Sequence, residues 1–417
     1  MSKEFQVVIV GAGMTGLTVA ALLARSRHND KLRLTVIDAA ARPCYLNEED
    51  TALRVSAIAT GSAELLQAIG AWAQIRDTRA SAYEHMRVWD ETGSADSASA
   101  LRFDAAEFAV AQLGFIVENS LVQAAILEVL DAADVDLVFD APISALRQAG
   151  HGYQLELDGG DTLHADLVIG ADGARSFVRE RVGIATRDYP YGQSAFVTHA
   201  APEESHDKTA WQRFLRDGPI GMLPLSDGRI SIVWSTQDAT ADGAMNAADD
   251  RLGAMLSAAS DHVLGELTVA GPRGKFPLCA RHAEQYVVPG VALIGDAAHA
   301  VHPLAGQGAN LGLQDAAMLA DVIVKALDKG EHPGDRPVLR RYERARKGDN
   351  ATMLHLMTGL NRLFATDSAL VRELRAAGMR LFNVSGPIRE HAVKVALGGV
   401  RQSDIVRLAA ARGQVNR

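Results

Sequence analysis

Asp38, Asp172 and Asp296 each stand at the carboxyl end of an apolar run that reads as a strand. Open α/β sheets bind ligands at that end of their strands. A single aspartate in such a turn is also an ordinary helix cap or turn former. Three of them in one chain point to one shared ligand. Glycines accompany them. In "FQVVIVGAGMTGLTVAALLARS", Gly11, Gly13 and Gly16 fit G-x-G-x-x-G directly after an apolar run. The first allows a tight turn, the second lets backbone approach a pyrophosphate, and the third lets helix pack on strand. Asp38, ending "LRLTVIDAA", lies near the roughly 20-residue offset of a carboxylate that holds ribose hydroxyls. A second glycine loop, "HPLAGQGANLG", follows Asp296 and brings backbone forward at Gly306, Gln307 and Gly308. Together these motifs predict a dinucleotide site, with a glycine turn in an unrelated α/β domain as the competing reading.

The elements that must position these residues are spread along the chain. "ADLVIGADGARSFVRE" (165–180) and "ALIGDAAHAVHPLAGQGANLG" (292–312) share one design: apolar strand, Gly, short loop with Asp, then helix. The nucleotide fold is therefore interrupted. Between its parts, "SAFVTHA", "GPIGMLPL" and "RISIVWST" read as strands of an inserted antiparallel sheet. The expected organisation is a discontinuous nucleotide-binding domain over 1–75, 101–186 and 275–330, and a substrate domain over 76–100 and 187–274. A C-terminal helical region over 331–417 completes it. The Ala/Ser/Asp-rich stretches 91–100 and 235–250 read as loops.

The 417 residues, 48% of them hydrophobic, supply ample core for more than one domain. A net charge of −9 argues against sequence-independent nucleic-acid binding, which needs clustered cations. Cys44 and Cys279 form neither a disulfide framework nor a zinc pattern, and burial is their expected state. No apolar run approaches the length of a membrane span, and the N-terminus does not read as a signal peptide. A cytoplasmic location is expected, with peripheral contact at the inner face of the plasma membrane left open. His299 and His302 lack the carboxylate of a metal motif, so no metal site is expected.

The stretches "LRVSAIATGSAELLQAIGAW", "GFIVENSLVQAAI", "GADGARSFVR", "GDAAHAVHPLAGQGANLG" and "LRRYERARKGDN" cover nearly the whole chain. Their combination resembles the FAD-dependent aromatic hydroxylases of the p-hydroxybenzoate hydroxylase fold, and within them the ubiquinone-biosynthesis hydroxylases. The resemblance implies a Rossmann-like α/β FAD-binding domain with an inserted antiparallel β-sheet and C-terminal helices. It implies FAD as cofactor, NADH or NADPH as reductant, dioxygen, and a polyprenylated phenol or quinol hydroxylated through a flavin C4a-hydroperoxide. Gly11, Gly13 and Gly16 would carry the pyrophosphate, and Asp38 the adenosine ribose. Arg54 would reach the pyrophosphate region unless it pairs with Glu48, Glu49 or Asp50. Asn119 and Gln123 fall at a polar cofactor contact, although Asn119 also reads as an N-cap. Asp172 belongs to a motif that contacts FAD and the pyridine nucleotide. Arg175 and Arg179 would attract a phosphate or pair along their own helix.

Gly295 and Asp296 would hold the ribityl chain, and Gly306, Gln307, Gly308 and Asn310 the isoalloxazine edge. His302 and Pro303 would shape the loop at the flavin. Tyr189, Tyr191, His199 and His302 are candidate bases by residue type alone. Phe214, Met222, Leu223, Pro224 and Trp234 would line the ring pocket or pack as core. Arg340, Arg341, Arg344, Arg346 and Lys347 could touch anionic lipid or form a solvated helix face. Association with other ubiquinone-biosynthesis proteins and a homo-oligomer are compatible with the family. A related scaffold also serves isoprenoid reductases or oxidases that insert no oxygen, hydroxylases of small soluble aromatics, and non-catalytic FAD-stabilised assembly subunits. The sequence leaves these open.

Overall fold

The apolar run Phe5–Val10 forms the inner strand of a parallel sheet, with Leu167–Gly170 on one side and Leu32–Ile37 on the other. The computed structural model describes residues 4–46, 50–302, 306–366 and 368–398. Among these, the nucleotide-type sheet has six strands. Val135–Val138 extends it at one edge, and Val291–Leu293 followed by the antiparallel Val287–Val288 at the other. Helices Met14–Ala24, Asn119–Asp131 and Gln307–Asp328 contribute to the same core as these strands. Val7 to Val10 are buried because the sheet is covered on both faces, which removes any period-two polar alternation.

A nine-stranded sheet forms the second body of structure. Its spine is the 17-residue strand Thr186–Pro202, which pairs antiparallel with Gly274–Ala283 and with Ile230–Gln237. Gly218–Pro224, Thr209–Leu215, His85–Asp90 and Leu101–Asp104 continue it outward. Leu101–Asp104 and Gly274–Ala283, assigned above to the nucleotide-binding segments, pair in this sheet instead. Hydrogen bonding crosses the expected boundary at both places: Leu101–Asp104 pairs with His85–Asp90, and Gly274–Ala283 with Thr186–Pro202.

Several local expectations change. Within 235–250, Asp238–Asn246 is a helix, and a second begins at Asp249. Alanine favours helix, and Asp238, Asp249 and Asp250 sit at the N-terminal turns where the dipole favours negative charge. Cys44 and Cys279 are both exposed free thiols. The proposed pocket lining divides by strand alternation. Met222 and Trp234 point into a core with Phe196, Ile220 and the Asp249–Ala259 helix. Leu223 packs toward Ala57, Ile116 and Leu225 on a different cluster, and Phe214 stacks on Phe364 at 3.9 Å. Met222 and Trp234 therefore face away from any pocket shared with Leu223.

The C-terminal segment is helical over Arg336–Ala365, Ala369–Asn383 and Pro387–Ala396. Its basic residues do not share one solvated face. Arg346 is buried, Arg341 pairs with Glu331, and the Lys347 ammonium donates to the Glu284 carbonyl.

Candidate functional site: a dinucleotide cleft

The glycine turn has one open position between two closed ones. A Cβ on Gly11 would lie 2.4 Å from the Ala171 carbonyl oxygen, and one on Gly16 would lie 2.0 Å from the Gly11 carbonyl oxygen. Gly13 faces nothing within 4 Å. Gly11 and Gly16 are thus required by backbone packing, and Gly13 leaves the space that a pyrophosphate needs. The helix behind it has Gly13 as N-cap, no side-chain cap and no acid in its first turn. Its leading N–H groups and positive dipole end suit an anion. The Asp38 carboxylate accepts from the Ala12 amide at 2.6 Å and the Ala40 amide at 2.8 Å, which fixes it beside the turn. Gln123 donates to the Ala12 carbonyl at 3.0 Å.

The middle of the cleft is braced by the strand Val55–Ala59. Asn310 donates to the Ala57 carbonyl at 2.8 Å and accepts from the Ala59 amide at 2.9 Å. Its amide is thereby committed as a strut between strand and helix. Asn119 accepts from the Ser56 hydroxyl at 2.7 Å rather than acting as a free N-cap. Arg54 is exposed and lies over the Phe276 ring at 5.7 Å. Asp50, one of its alternative partners, pairs with Arg229, while Glu48 and Glu49 lie outside the described residues. Gly306 adopts a left-handed conformation (φ 63°), and a Cβ there would meet Ala57 at 2.7 Å. Gly308 is open among the described residues, with Val301 at 4.0 Å. The helix that begins at Gln307 has neither a side-chain cap nor an acid in its first turn. Pro303 lies outside the described residues, as does the Gln307 side chain.

Asp172 and Asp296 differ in what surrounds them. Asp172 accepts from the Ser176 hydroxyl at 2.5 Å and the Val178 amide at 3.0 Å, the geometry of a local helix cap. Burial pushes its carboxyl up, against those hydrogen bonds. Arg179 takes neither role expected of it. It is buried and donates to the Ala297 and Ala174 carbonyls, tying two turns together, while Arg175 is exposed. The Asp296 side chain is exposed, although protein packs closely enough around it to desolvate the carboxyl. Desolvation raises its pKa, opposed by His299 and Arg54. Gly295, in the left-handed region at φ 57°, makes the turn that leads into Asp296.

A buried network behind Asp296 escaped the sequence reading. Asp315 is fully buried; His299 Nε2 lies 2.5 Å from one of its oxygens and Arg346 Nε 2.7 Å from the other. Asn350 and the Gly295 amide also donate to it, at 3.1 Å each. Burial pushes the Asp315 carboxyl up, but His299 and Arg346 outweigh that and hold it well below the usual carboxylate range. The network fixes the turn that presents Asp296. Its signal was present in "NLGLQDAAML" and "RARKGDN", but only folding brings Asp315 and Arg346 together.

His302 is 1% exposed, and neither ring nitrogen has a hydrogen-bond partner among the described residues. Tyr191 meets it edge-on at 4.9 Å and bonds Thr358 at 2.9 Å. Burial lowers the His302 pKa to about 4, so the imidazole is neutral near pH 7. His199 is also buried, with no hydrogen-bond partner for its ring nitrogens among the described residues, on the spine strand beside Gly271, while Tyr189 is half-buried.

The FAD binding domain family matches residues 4–354. The chain is 37% identical over 399 residues to 3-demethoxyubiquinol 3-hydroxylase of Escherichia coli, covering 95% of this chain and 99% of that protein. It belongs to the FAD-dependent ubiquinone-biosynthesis hydroxylase family. This hydroxylase is also 36% identical to ubiquinone hydroxylase UbiL of Rhodospirillum rubrum, over 96% of its own length and 91% of that protein. The fold is that of PqsL of P. aeruginosa in complex with 2-aminobenzoylacetate, with a TM-score of 0.74 at 23% identity, covering 90% of this chain and 99% of PqsL. FAD is the cofactor, and the residues present fit it: an open cradle at Gly13, two helix N-termini without acids in their first turns, and the exposed Asp296 carboxylate.

Proposed function

We propose that this enzyme hydroxylates the aromatic ring of a polyprenylated phenol or quinol in ubiquinone biosynthesis, using dioxygen and NADH or NADPH. The near-full-length likeness to a 3-demethoxyubiquinol 3-hydroxylase carries the reading. The cleft supports it. Amides at the start of the Met14–Ala24 helix would hold the pyrophosphate, Asp38 the adenosine ribose and Asp296 the ribityl hydroxyls. Arg54, exposed over Phe276, is placed to pair with phosphate oxygens through its planar fork.

Bound FAD supplies hydride acceptance and oxygen activation. The chain's own task is to position and shield the ring. The positive end of the Gln307–Asp328 helix, equivalent to about half a charge, favours negative charge placed against it. His302, neutral at pH 7, offers one donor and one acceptor nitrogen to a phenolic oxygen. A phenol or quinol carbon is already electron-rich, so such orientation demands less than full proton abstraction. The nine-stranded sheet would roof the ring, with Leu223 and Leu225 on its inward side.

Purified holoenzyme supplied with NADH or NADPH and a 2-polyprenylphenol or demethoxyubiquinol analogue should give a product heavier by one oxygen atom. Reductant consumption with a product of unchanged ring composition would instead support a reductase or oxidase.

A further inference from the structure

The C-terminal helices have their polarity inverted relative to an ordinary surface helix. On Ala369–Asn383, Leu370, Leu374 and Leu381 are spaced by four and seven residues; Val384 follows in the turn after it and Ile388 in the Pro387–Ala396 helix. All five are between 63% and 80% exposed. The polar contacts lie on the inner side. Arg375 pairs with buried Asp90 and donates to the Leu363 and Phe364 carbonyls, and Asn383 donates to the Ala100 carbonyl at 2.8 Å. Arg389 donates to the Arg102 carbonyl and pairs with Glu107. Met379 packs with Phe364, Phe214 and Val88. The helix is therefore seated by ion pairs and one apolar cluster, and its leucines are left outward. Leu356 and Leu363 of the preceding helix are exposed as well.

We propose that this outward leucine face docks the enzyme on an anionic lipid bilayer, resting on the reading that its substrate carries a polyprenyl tail. Charge selects the occupant. Arg380 on this helix and Arg362 beside Leu363 on the preceding one are exposed next to the outward leucines and make no ion pair among the described residues, although the chain as a whole carries a net charge of −9. Local cations flanking a leucine stripe suit anionic headgroups above acyl chains. A second copy would bring the same uncompensated arginines to the contact. No described helix is long and apolar enough to cross a membrane, so the contact is interfacial. It places the docking surface on Ala369–Asn383, and not on the basic run of the preceding helix, where Arg341 and Arg346 are already paired.

The test is co-sedimentation of the FAD-loaded full chain with phosphatidylglycerol-containing vesicles and with neutral phosphatidylcholine vesicles. Wild type should partition onto the anionic vesicles, and Leu370→Glu/Leu374→Glu/Leu381→Glu should lose about tenfold or more of that binding. Arg380→Glu should weaken the preference for anionic over neutral lipid. Bound flavin and turnover of a short-tailed soluble analogue, measured in parallel, should be unchanged in both variants, which separates this proposal from the substrate assignment and from misfolding. Equal partitioning of wild type and the leucine variant would overturn the proposal. So would a dimer in gel filtration that the leucine variant converts to monomer without altering vesicle binding.

Discussion

The two ends of the cleft are built by different means. At the end proposed to hold the nucleotide, backbone makes the geometry: Gly11 and Gly16 close against main chain, Gly13 stays open, and the helix N-terminus has no side-chain cap. At the end proposed to face the flavin ring, side chains from distant segments do. Asp315 gathers His299, Arg346 and Asn350 beneath the Asp296 turn, and His302 waits against Tyr191 with both nitrogens free of described partners. The first end is a local geometry that a short motif can encode. The second is a tertiary assembly whose charges are tolerable only because they meet.

That contrast predicts where substitutions do damage. Arg346→Ala would leave the Asp315 charge buried with its main cation gone, at a cost of about 3–5 kcal/mol. It should lower the urea midpoint of the apoprotein more than any single change at the nucleotide end that leaves backbone packing intact. An Arg346→Ala midpoint close to wild type would show that the network does not carry the turn.

Gly13→Val separates packing from binding. Its side chain enters open space, so apoprotein stability should barely move while FAD affinity falls by tenfold or more. Gly16→Val, forced against the Gly11 carbonyl, should instead destabilise the apoprotein. If the two behaved alike, the division between open and closed glycines would be wrong. Asp296→Ala should weaken flavin retention by about ten- to a hundredfold, the loss of hydrogen bonds to a charged acceptor. Unchanged flavin content after dialysis would remove Asp296 from the site.

The smallest effect is in pH. Burial holds His302 and His282 at about 4, against 6.5 for a solvated imidazole. The unfolded chain therefore binds more protons between those values, and stability falls as pH drops through that window. Denaturant midpoints of apoprotein at pH 7 and pH 5 should differ less for His302→Gln than for wild type. Equal differences would mean that His302 is not desolvated.

How much could be read beforehand follows the same contrast. The turn at Gly11 to Gly16, Asp38 and the strand–Asp–helix units at Asp172 and Asp296 were legible because a motif of a few residues specifies them. The family likeness extended that legibility across the chain. The division of the nine-stranded sheet was not legible: strand alternation sends Met222 and Trp234 to one face and Leu223 to another, and composition does not say which face meets the cleft. Arg346 looked like one more surface cation in a basic run until folding placed it on Asp315. Asp238–Asn246 read as a loop because alanine and aspartate are common to loops and to helix N-termini. The outward leucines of the last helices carry no motif, and only their exposure in the fold, with Arg375 turned in to Asp90, shows that the polar side is the inner one.

The most direct test of the central claim is turnover of the purified holoenzyme under isotopically labelled dioxygen, with mass analysis of the polyprenylated product. Incorporation of one labelled oxygen atom into the aromatic ring is the predicted result. A hydroxylated product whose new oxygen comes from water, or flavin reoxidation with no labelled ring product, would contradict it.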